Sequence, residues 1–467
     1  MNKRNFWKHF GIAVALVSFA GIAGTIIRNQ GTNEYETDKE IRKPVSAVRE
    51  AKQNEPEVLV KFKPGIELSE IKRIINRNND RIEDEIENVK NLISIDDLDN
   101  VNAKDVAKQY RQMSDLVVYA EPNFKIELDP VGDISPVTAR AENPLTPNDP
   151  MFGEQWALNN SGQDGGKAKA DIGALKAWLK TQGSEDIVVA VLDTGVDFAH
   201  TDLSENIWFR PDNIPAYVDD EIGMIDDKNG FNADANDGNP MDDNGHGTHC
   251  AGIIGAEGNN NLGITGVNWK VEIMPLKFLG SGGFGSTKNA IEAINYAIDR
   301  KKAGVNVRVI NASWGSTLYS KALEDAIRAA GEQGILFVAA AGNNSTDNDR
   351  RPHYPSNYDL PNVISVAALD RNDQLASFSN YGAKTVHIAA PGKEIVSTWL
   401  NNQFREASGT SMATPQVAGV AALIIAGNPE IDVEGLRTKL LASVDQLDSL
   451  NGKVENGGRM NAAKALE

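Results

Sequence analysis

Six short runs of apolar, β-branched residues recur along the second two thirds of the chain, and they restrict what it can fold into. They are Ile187–Asp193, Val271–Lys277, Val307–Ser313, Ile335–Ala341, Val363–Ala368 and Val386–Ala390. Each run is close to continuous instead of alternating, so each strand needs cover on both faces. Helical patterns fall between several of them, at His246–Ala256, Ser286–Arg300 and Ser320–Gln333. Apolar strands separated by helices predict an α/β fold, a doubly wound parallel sheet. Ligands of such folds sit beyond the carboxyl ends of the strands.

Composition narrows the partners. Lys and Arg number 47 against 65 Asp and Glu, a net charge of −18. Nucleic acid is not expected as a partner, because it would need a basic face. A single cysteine excludes an internal disulfide framework and a Cys-rich zinc module. An exported chain of this kind needs some other staple.

The first 28 residues carry Lys3, Arg4 and Lys8 ahead of an uncharged stretch from Gly11 to Ile27. This reads as an export signal, cleaved near Ala20–Gly24, with a retained membrane anchor as the lesser alternative. The expected location is therefore secreted. Residues 29–54 read as a polar linker. From 55 to 128 the pattern is strand Val58–Lys63, helix Leu68–Asn78, strands Ile82–Val89 and Asn91–Ile95, helix Ala103–Ser114 and strand Leu116–Tyr119. That order is β-α-β-β-α-β, a small ferredoxin-like α+β domain. Residues 129–148 hold Pro130, Pro136, Pro144 and Pro147, with Pro150 just beyond. The prolines predict an extended connection open to a proteolytic cut.

Three motifs fall where a parallel sheet places chemistry. Asp193 closes the first strand in DTGVD, His246 opens a helix in NGHGTHCAG, and Ser411 begins a long apolar helix in GTSMATP. Pro415 is tolerated in the first turn of that helix. A serine hydroxyl is a weak nucleophile and needs an imidazole to take its proton. The imidazole in turn needs a carboxylate to fix its tautomer. The positive end of the Ser411 helix favours negative charge developing nearby.

These motifs resemble the subtilisin-type serine proteases, the subtilases, over essentially the whole chain. The resemblance implies Asp193 as orienter, His246 as general base and acid, and Ser411 as nucleophile of an acyl-enzyme mechanism acting on protein and peptide substrates. It implies Asn343, in AAAGNNS, as the oxyanion-hole asparagine. It implies that Gly283, Gly285, Ser313, Trp314 and Gly315 line an extended-peptide site, with Trp314 an S1 wall or ordinary packing. His353 stands where the family often has a small residue; whether it points into the S1 pocket or to solvent is open. Residues 149–467 are then the peptidase domain, expected as a monomer. Residues 55–128 are its propeptide, an intramolecular inhibitor of a zymogen that cuts itself in the Pro-rich connection. Cys250 resembles the cysteine of the thermitase and proteinase K type, beneath the catalytic histidine.

The same resemblance implies Ca²⁺ as the staple. Asp149, Asp202, the Asn260 side-chain oxygen and the carbonyls of Gly258, Leu262 and Ile264 form the expected strong site, with Gln155 adjoining. A weaker second site is expected from Asp234, Asp237, Asn239 and Asp242. Hard oxygen ligands of this kind suit calcium. Two other readings remain: an inactive subtilase scaffold that binds peptides, and a zinc hydrolase built on His246 and His249. The latter pair is three residues apart without an intervening glutamate, against the usual metalloprotease spacing.

Overall fold

The computed structural model describes residues 57–132, 134–137, 146–219 and 222–467. The expected export segment, the linker 29–54 and part of the Pro-rich connection lie outside the described residues.

Glu57–Phe62 (β1), Asp80–Glu85 (β2), Leu92–Asp97 (β3) and Val117–Pro122 (β4) form an antiparallel sheet in the order β2-β3-β1-β4. Helices Leu68–Arg77 and Ala103–Gln112 complete the order β-α-β-β-α-β. Side chains alternate along β1, as strand geometry demands. Val58, Val60 and Phe62 pack with Ile71, Ile75 and Tyr110 of the two helices, while Leu59 turns to the opposite face and joins the core of the larger α/β body. The second and third strands lie apart from the expected ranges because Ile86 to Asn91 forms a turn, with Asn91 at a φ of 63°.

After Lys125–Glu127 (β5) and Ser135–Pro136 (β6), the chain enters its main sheet with Gly183–Asp193 (β7). Tyr217–Asp219 (β8) and Gly223–Ile225 (β9) make a surface hairpin. Phe231–Asn232 (β10), Lys270–Lys277 (β11), Val307–Ala312 (β13), Leu336–Ala340 (β14), Val363–Leu369 (β15) and Ile388–Pro391 (β16) follow, with Phe284–Ser286 (β12) set apart. Ile395–Trp399 (β17) and Gln403–Ala407 (β18) form a separate ribbon, and Val444–Gln446 (β19) and Gly458–Met460 (β20) close the edge. The sheet has nine strands in the order β10-β11-β7-β13-β14-β15-β16-β20-β19. Every pair in it is parallel except β19 with β20.

Along β7, Ile187, Val189 and Val191 pack against His246–Gly255 and Thr410–Gly427. Val188, Ala190 and Leu192 pack against Thr287–Lys302 and Lys321–Glu332 on the other face. Both faces are covered, which is why the run is apolar throughout. The Thr410–Gly427 helix is long and apolar enough to cross a membrane, but 89% of it is buried inside the protein. It is the central core helix, apolar all round for that reason. From β7 the chain passes to β11 on one side and returns to β13 on the other. Asp193, the last residue of β7, thus stands at the switch point where crevices of such sheets open.

Candidate active site

Asp193 leaves β7 fully buried, with one carboxylate oxygen accepting the Thr194 N–H at 2.8 Å. His246 Nδ1 lies 2.7 Å from that same oxygen, Oδ1. The imidazole is brought there because its helix starts tight against the end of β7. Any side chain at Gly247 would collide with the Gly195 carbonyl, so only glycine permits the approach. Burial alone would lower the His246 pKa, but the charges of Asp193, Asp242 and Asp129 outweigh it and hold it above the usual 6.5. The other ring nitrogen, Nε2, is buried with no hydrogen-bond partner among the described residues.

Ser411 sits in the first turn of its helix, buried, and its hydroxyl donates to the Ser313 carbonyl at 3.0 Å. Asn343 lies alongside. Its Oδ1 accepts the Thr410 N–H at 2.8 Å and the Thr410 hydroxyl at 2.9 Å, so its amide N–H is aimed outward. There it meets the Pro130 carbonyl at 2.9 Å.

That contact belongs to a longer one, because the chain's own residues 125–132 run through the cleft. β5 pairs antiparallel with β12, Leu128 N–H donates to the Gly283 carbonyl at 2.9 Å, and Glu127 bridges to Gly315. Beyond Pro130, Gly132 N–H donates to the Ser408 carbonyl at 2.7 Å and β6 pairs with β18. The segment therefore adds a strand to an existing edge, a sequence-tolerant mode of peptide binding. Gly283, Gly285 and Gly315 take part through their backbones. The Asp129 side chain turns inward onto His353, whose Nε2 is 3.2 Å from Oδ1 and 3.1 Å from Oδ2. His353 faces the pocket, not solvent.

Two expectations are corrected. Trp314 is not a pocket wall: it is fully buried, packs at a tilt on Phe278 with ring centroids 4.7 Å apart, and donates its indole N–H to the Leu192 carbonyl at 2.9 Å. Trp314, just past the end of β13, joins the same core as Ile310 and Ala312. The Ser313 side chain likewise turns from the groove and donates to the Ser411 carbonyl at 2.9 Å. Asp242, expected in the weak calcium site, has a structural role of its own. Both oxygens of Asp242 are engaged by Thr194, Asn244, Gly245 and Thr248, so this carboxylate anchors the start of the histidine helix. Asp237 and Asn239 bond to each other across a local turn, Asp237 Oδ1 accepting the Asn239 N–H at 3.0 Å.

The strong-site residues do converge. Asp149 accepts the N–H groups of Asn259 and Asn260, at 2.8 and 3.2 Å. Asp202 accepts Ile264 N–H and the Asn260 amide, each at 2.9 Å. Gln155 holds the end of this loop through both directions of hydrogen bonding to Thr265. Burial pushes Asp149 and Asp202 up to about 6 each. Two buried carboxylates met by N–H dipoles and an amide, with no Lys or Arg among these partners, form a donor set fitted to a hard cation. No backbone N–H among the described residues bonds the carbonyls of Gly258, Leu262 or Ile264, which leaves them as further oxygen donors. The Asn260 Oδ1 accepts the Leu262 N–H at 2.8 Å, so here its nitrogen and not its oxygen faces Asp202.

His249 is buried with Nε2 3.1 Å from the Arg405 carbonyl, turned from His246, and burial pushes it down to about 3. The pair does not share a metal site. Cys250 Sγ lies 3.5 Å from the Ser411 carbonyl, and burial raises its thiol well above 9.0. It is an inert hydrophobe at rest.

Three supports escaped the sequence reading. Lys277 Nζ binds the Thr194 and Leu279 carbonyls, at 2.7 and 2.9 Å, and Asp243 at 2.7 Å, locking the turn after Asp193. A lysine closing the apolar run MPLK was its only signal. Glu121 accepts the Ser320 hydroxyl and the Lys321 and Ala322 N–H groups, capping helix Lys321–Glu332 from the small domain. Asn123 accepts Lys288 N–H at 2.9 Å and caps Thr287–Lys302 in the same way.

A buried carboxylate–imidazole pair beside a helix-borne serine, at the switch point of a doubly wound sheet, defines the hydrolase class of serine peptidases. The subtilase family (peptidase S8) matches residues 184–458, and the chain belongs to that family. It is 34% identical over 412 residues to the thermophilic serine proteinase of Bacillus sp. (strain AK1), covering 88% of this chain and 87% of that one. Thermitase of Thermoactinomyces vulgaris is 36% identical over 322 residues, 69% of this chain and 99% of thermitase. Subtilisin-like protease 2 of Plasmodium falciparum is 40% identical over 258 residues, 54% of this chain, which spans only 18% of that protein.

Proposed function

We propose that the chain is a secreted serine endopeptidase made as a self-processing zymogen. Ser411 attacks the scissile carbonyl while His246 takes its proton through Nε2 and returns it to the leaving amine. Asp193 holds the imidazole tautomer and the imidazolium, and water then clears the acyl-enzyme by the same relay. The Asn343 amide and the Ser411 backbone N–H stabilise the tetrahedral oxyanion. One observation carries this reading: the chain's own strand lies in the groove with a carbonyl on Asn343.

Residues 55–128 act as the inhibitory propeptide, supported by the caps that Glu121 and Asn123 lend to two helices of the larger domain. Asp149, Asp202, Asn260 and the carbonyls of Gly258, Leu262 and Ile264 would hold Ca²⁺, which ties the loop 258–264 to the start of the peptidase domain. To give its oxygen to the ion, the Asn260 amide would have to turn over from the orientation in which its nitrogen faces Asp202.

The parked Ser411 hydroxyl, bonded to Ser313 and not to His246, favours a second reading as a peptide-binding scaffold without turnover. Intact mass over time decides between them, using precursor purified in calcium as wild type and as Ser411→Ala. Wild type breaking into two fragments while the variant stays whole supports the peptidase. Both staying whole, with no fluorophosphonate adduct on the wild type, supports the scaffold.

A further inference from the structure

We propose that His353 makes the pocket for the side chain before the cleaved bond selective for an acidic residue, aspartate above all. The inference rests on the peptidase reading of the cleft and names its substrate class.

The His353 ring is a fixed part of the pocket. It fills the space between Gly315 and Gly342, where a side chain at either glycine would collide with it or crowd it. Its backbone is anchored as well: its N–H donates to Asn357 Oδ1 at 3.1 Å, and its carbonyl accepts the Ser356 hydroxyl at 2.7 Å and Asn357 N–H at 2.9 Å. The residue is 2% exposed. Its Nδ1 has no hydrogen-bond partner among the described residues. The one directed interaction of the ring is therefore Nε2–H with the carboxylate of Asp129, at 3.2 and 3.1 Å.

Asp129 reaches the ring from a strand that pairs with the groove edges as a substrate would, but stands one residue out of step with the oxyanion hole. Leu128, just before it, is paired to Gly283, and Glu127 to Gly315. The next carbonyl, that of Pro130, is the one on Asn343. The edge pairing of Glu127 and Leu128 places the Asp129 side chain in the pocket, while the Pro130 carbonyl on Asn343 holds the strand out of the register for cleavage.

When this strand leaves, a buried Nε2–H is left to be satisfied by the next occupant. A carboxylate restores a charge-assisted hydrogen bond. An aliphatic side chain leaves the donor buried and unpaired, the situation that gives enzymes their steepest discrimination. The ring occupies the depth of the pocket, so the short aspartate chain fits and each added methylene works against it.

The test uses the purified full-length chain after incubation in calcium, its competent serines counted with a fluorophosphonate. Blocked Ile-Glu-Leu-X-aminomethylcoumarin peptides carry X as Asp, Asn, Glu or Leu, the first three residues copying the chain's own strand. The expected kcat/KM for Asp exceeds that for its neutral isostere Asn by about tenfold or more, and that for Leu by roughly 10². In His353→Gln and His353→Ala the Asp-to-Leu ratio falls to unity or below. If neither variant is labelled, the wild-type Asp-to-Asn ratio decides alone. Labelled wild type that cleaves Leu or Asn as well as Asp, or cleaves none of the four, overturns the proposal. Absence of labelling overturns the peptidase reading instead.

Discussion

Asn343 donates its side-chain amide to the carbonyl of Pro130 at 2.9 Å, and it has no freedom to do otherwise. Its own oxygen is held by two donors from Thr410, so the N–H is set before any substrate arrives. A donor fixed in advance costs no reorganisation when charge develops on the substrate oxygen. Asn343→Ala is expected to lower kcat by roughly 10²–10³, the range for loss of one oxyanion donor in subtilisin itself, with little change in KM. Peptide kinetics check this, and an unchanged kcat removes Asn343 from the oxyanion hole.

The Asp193–His246 pair makes a prediction about pH. Only the neutral imidazole accepts the Ser411 proton, so the rate rises as pH climbs through the His246 pKa. Burial lowers that pKa, and Asp193, with Asp242 and the Asp129 of the bound strand, more than reverses it, the Asp193 contribution being the largest. Asp193→Asn removes the largest raising charge, so its acid limb is expected to move to lower pH, with kcat falling by roughly 10⁴ as the tautomer is lost. A limb that stays in place in the variant shows that another group controls it. The measurement is kcat/KM against pH for both proteins.

The main sheet was legible because a strand covered on both faces must be apolar at nearly every position, as β7 is. The triad was legible because its three motifs hold short fixed spacings. What escaped has physical reasons. β10 is only the two residues Phe231 and Asn232, too short for any periodicity. Trp314 sits in a groove motif, and sequence does not say which side of the strand faces the core. The inward turn of His353 is set by neighbours remote in sequence, the ring seating itself between Gly315 and Gly342. Asp242, expected as a weak calcium ligand, instead accepts four hydrogen bonds from the start of the histidine helix and one from Thr194.

The clustered carboxylates of Asp149 and Asp202 make calcium removal a test of stability. A bound ion that is absent from the unfolded chain stabilises by mass action, about 2.7 kcal/mol at a hundredfold excess over Kd. Thermal unfolding of Ser411→Ala, used to prevent self-digestion, is expected to occur several degrees lower in chelator than in calcium. Asp202→Asn should start low and respond little to either. Equal melting temperatures for the Ser411→Ala protein in both solutions would remove the site.

Docking of the small domain should itself depend on pH, through carboxylates where it meets helix Thr287–Lys302. Glu292 is buried with both oxygens lacking a hydrogen-bond partner among the described residues, near Asp84, Glu87, Asp219 and Lys288. Burial, with the charges of Asp84, Glu87 and Asp219, raises it well above 4.5 despite Lys288. Glu87 is pushed up to about 7, first by desolvation, although its outer edge is exposed and its share is the smaller. Lys288, contacting Glu83 and Asp84, is raised well above 10.5 and stays charged through neutrality. Groups whose pKa is raised by docking take up protons as the domains join. Docking is therefore strongest near pH 4.5 and weakens as pH climbs through about 7. The cleaved small domain should stay with its partner at pH 5.5 and separate at pH 8.5 on gel filtration. Glu292→Gln should flatten that dependence. Glu121→Ala should also weaken docking, by about 2 kcal/mol or ~30-fold, since it removes the caps on the Ser320 hydroxyl and the Lys321 and Ala322 N–H groups. Equal retention of the wild-type small domain at both pH values would refute a role for the buried carboxylates.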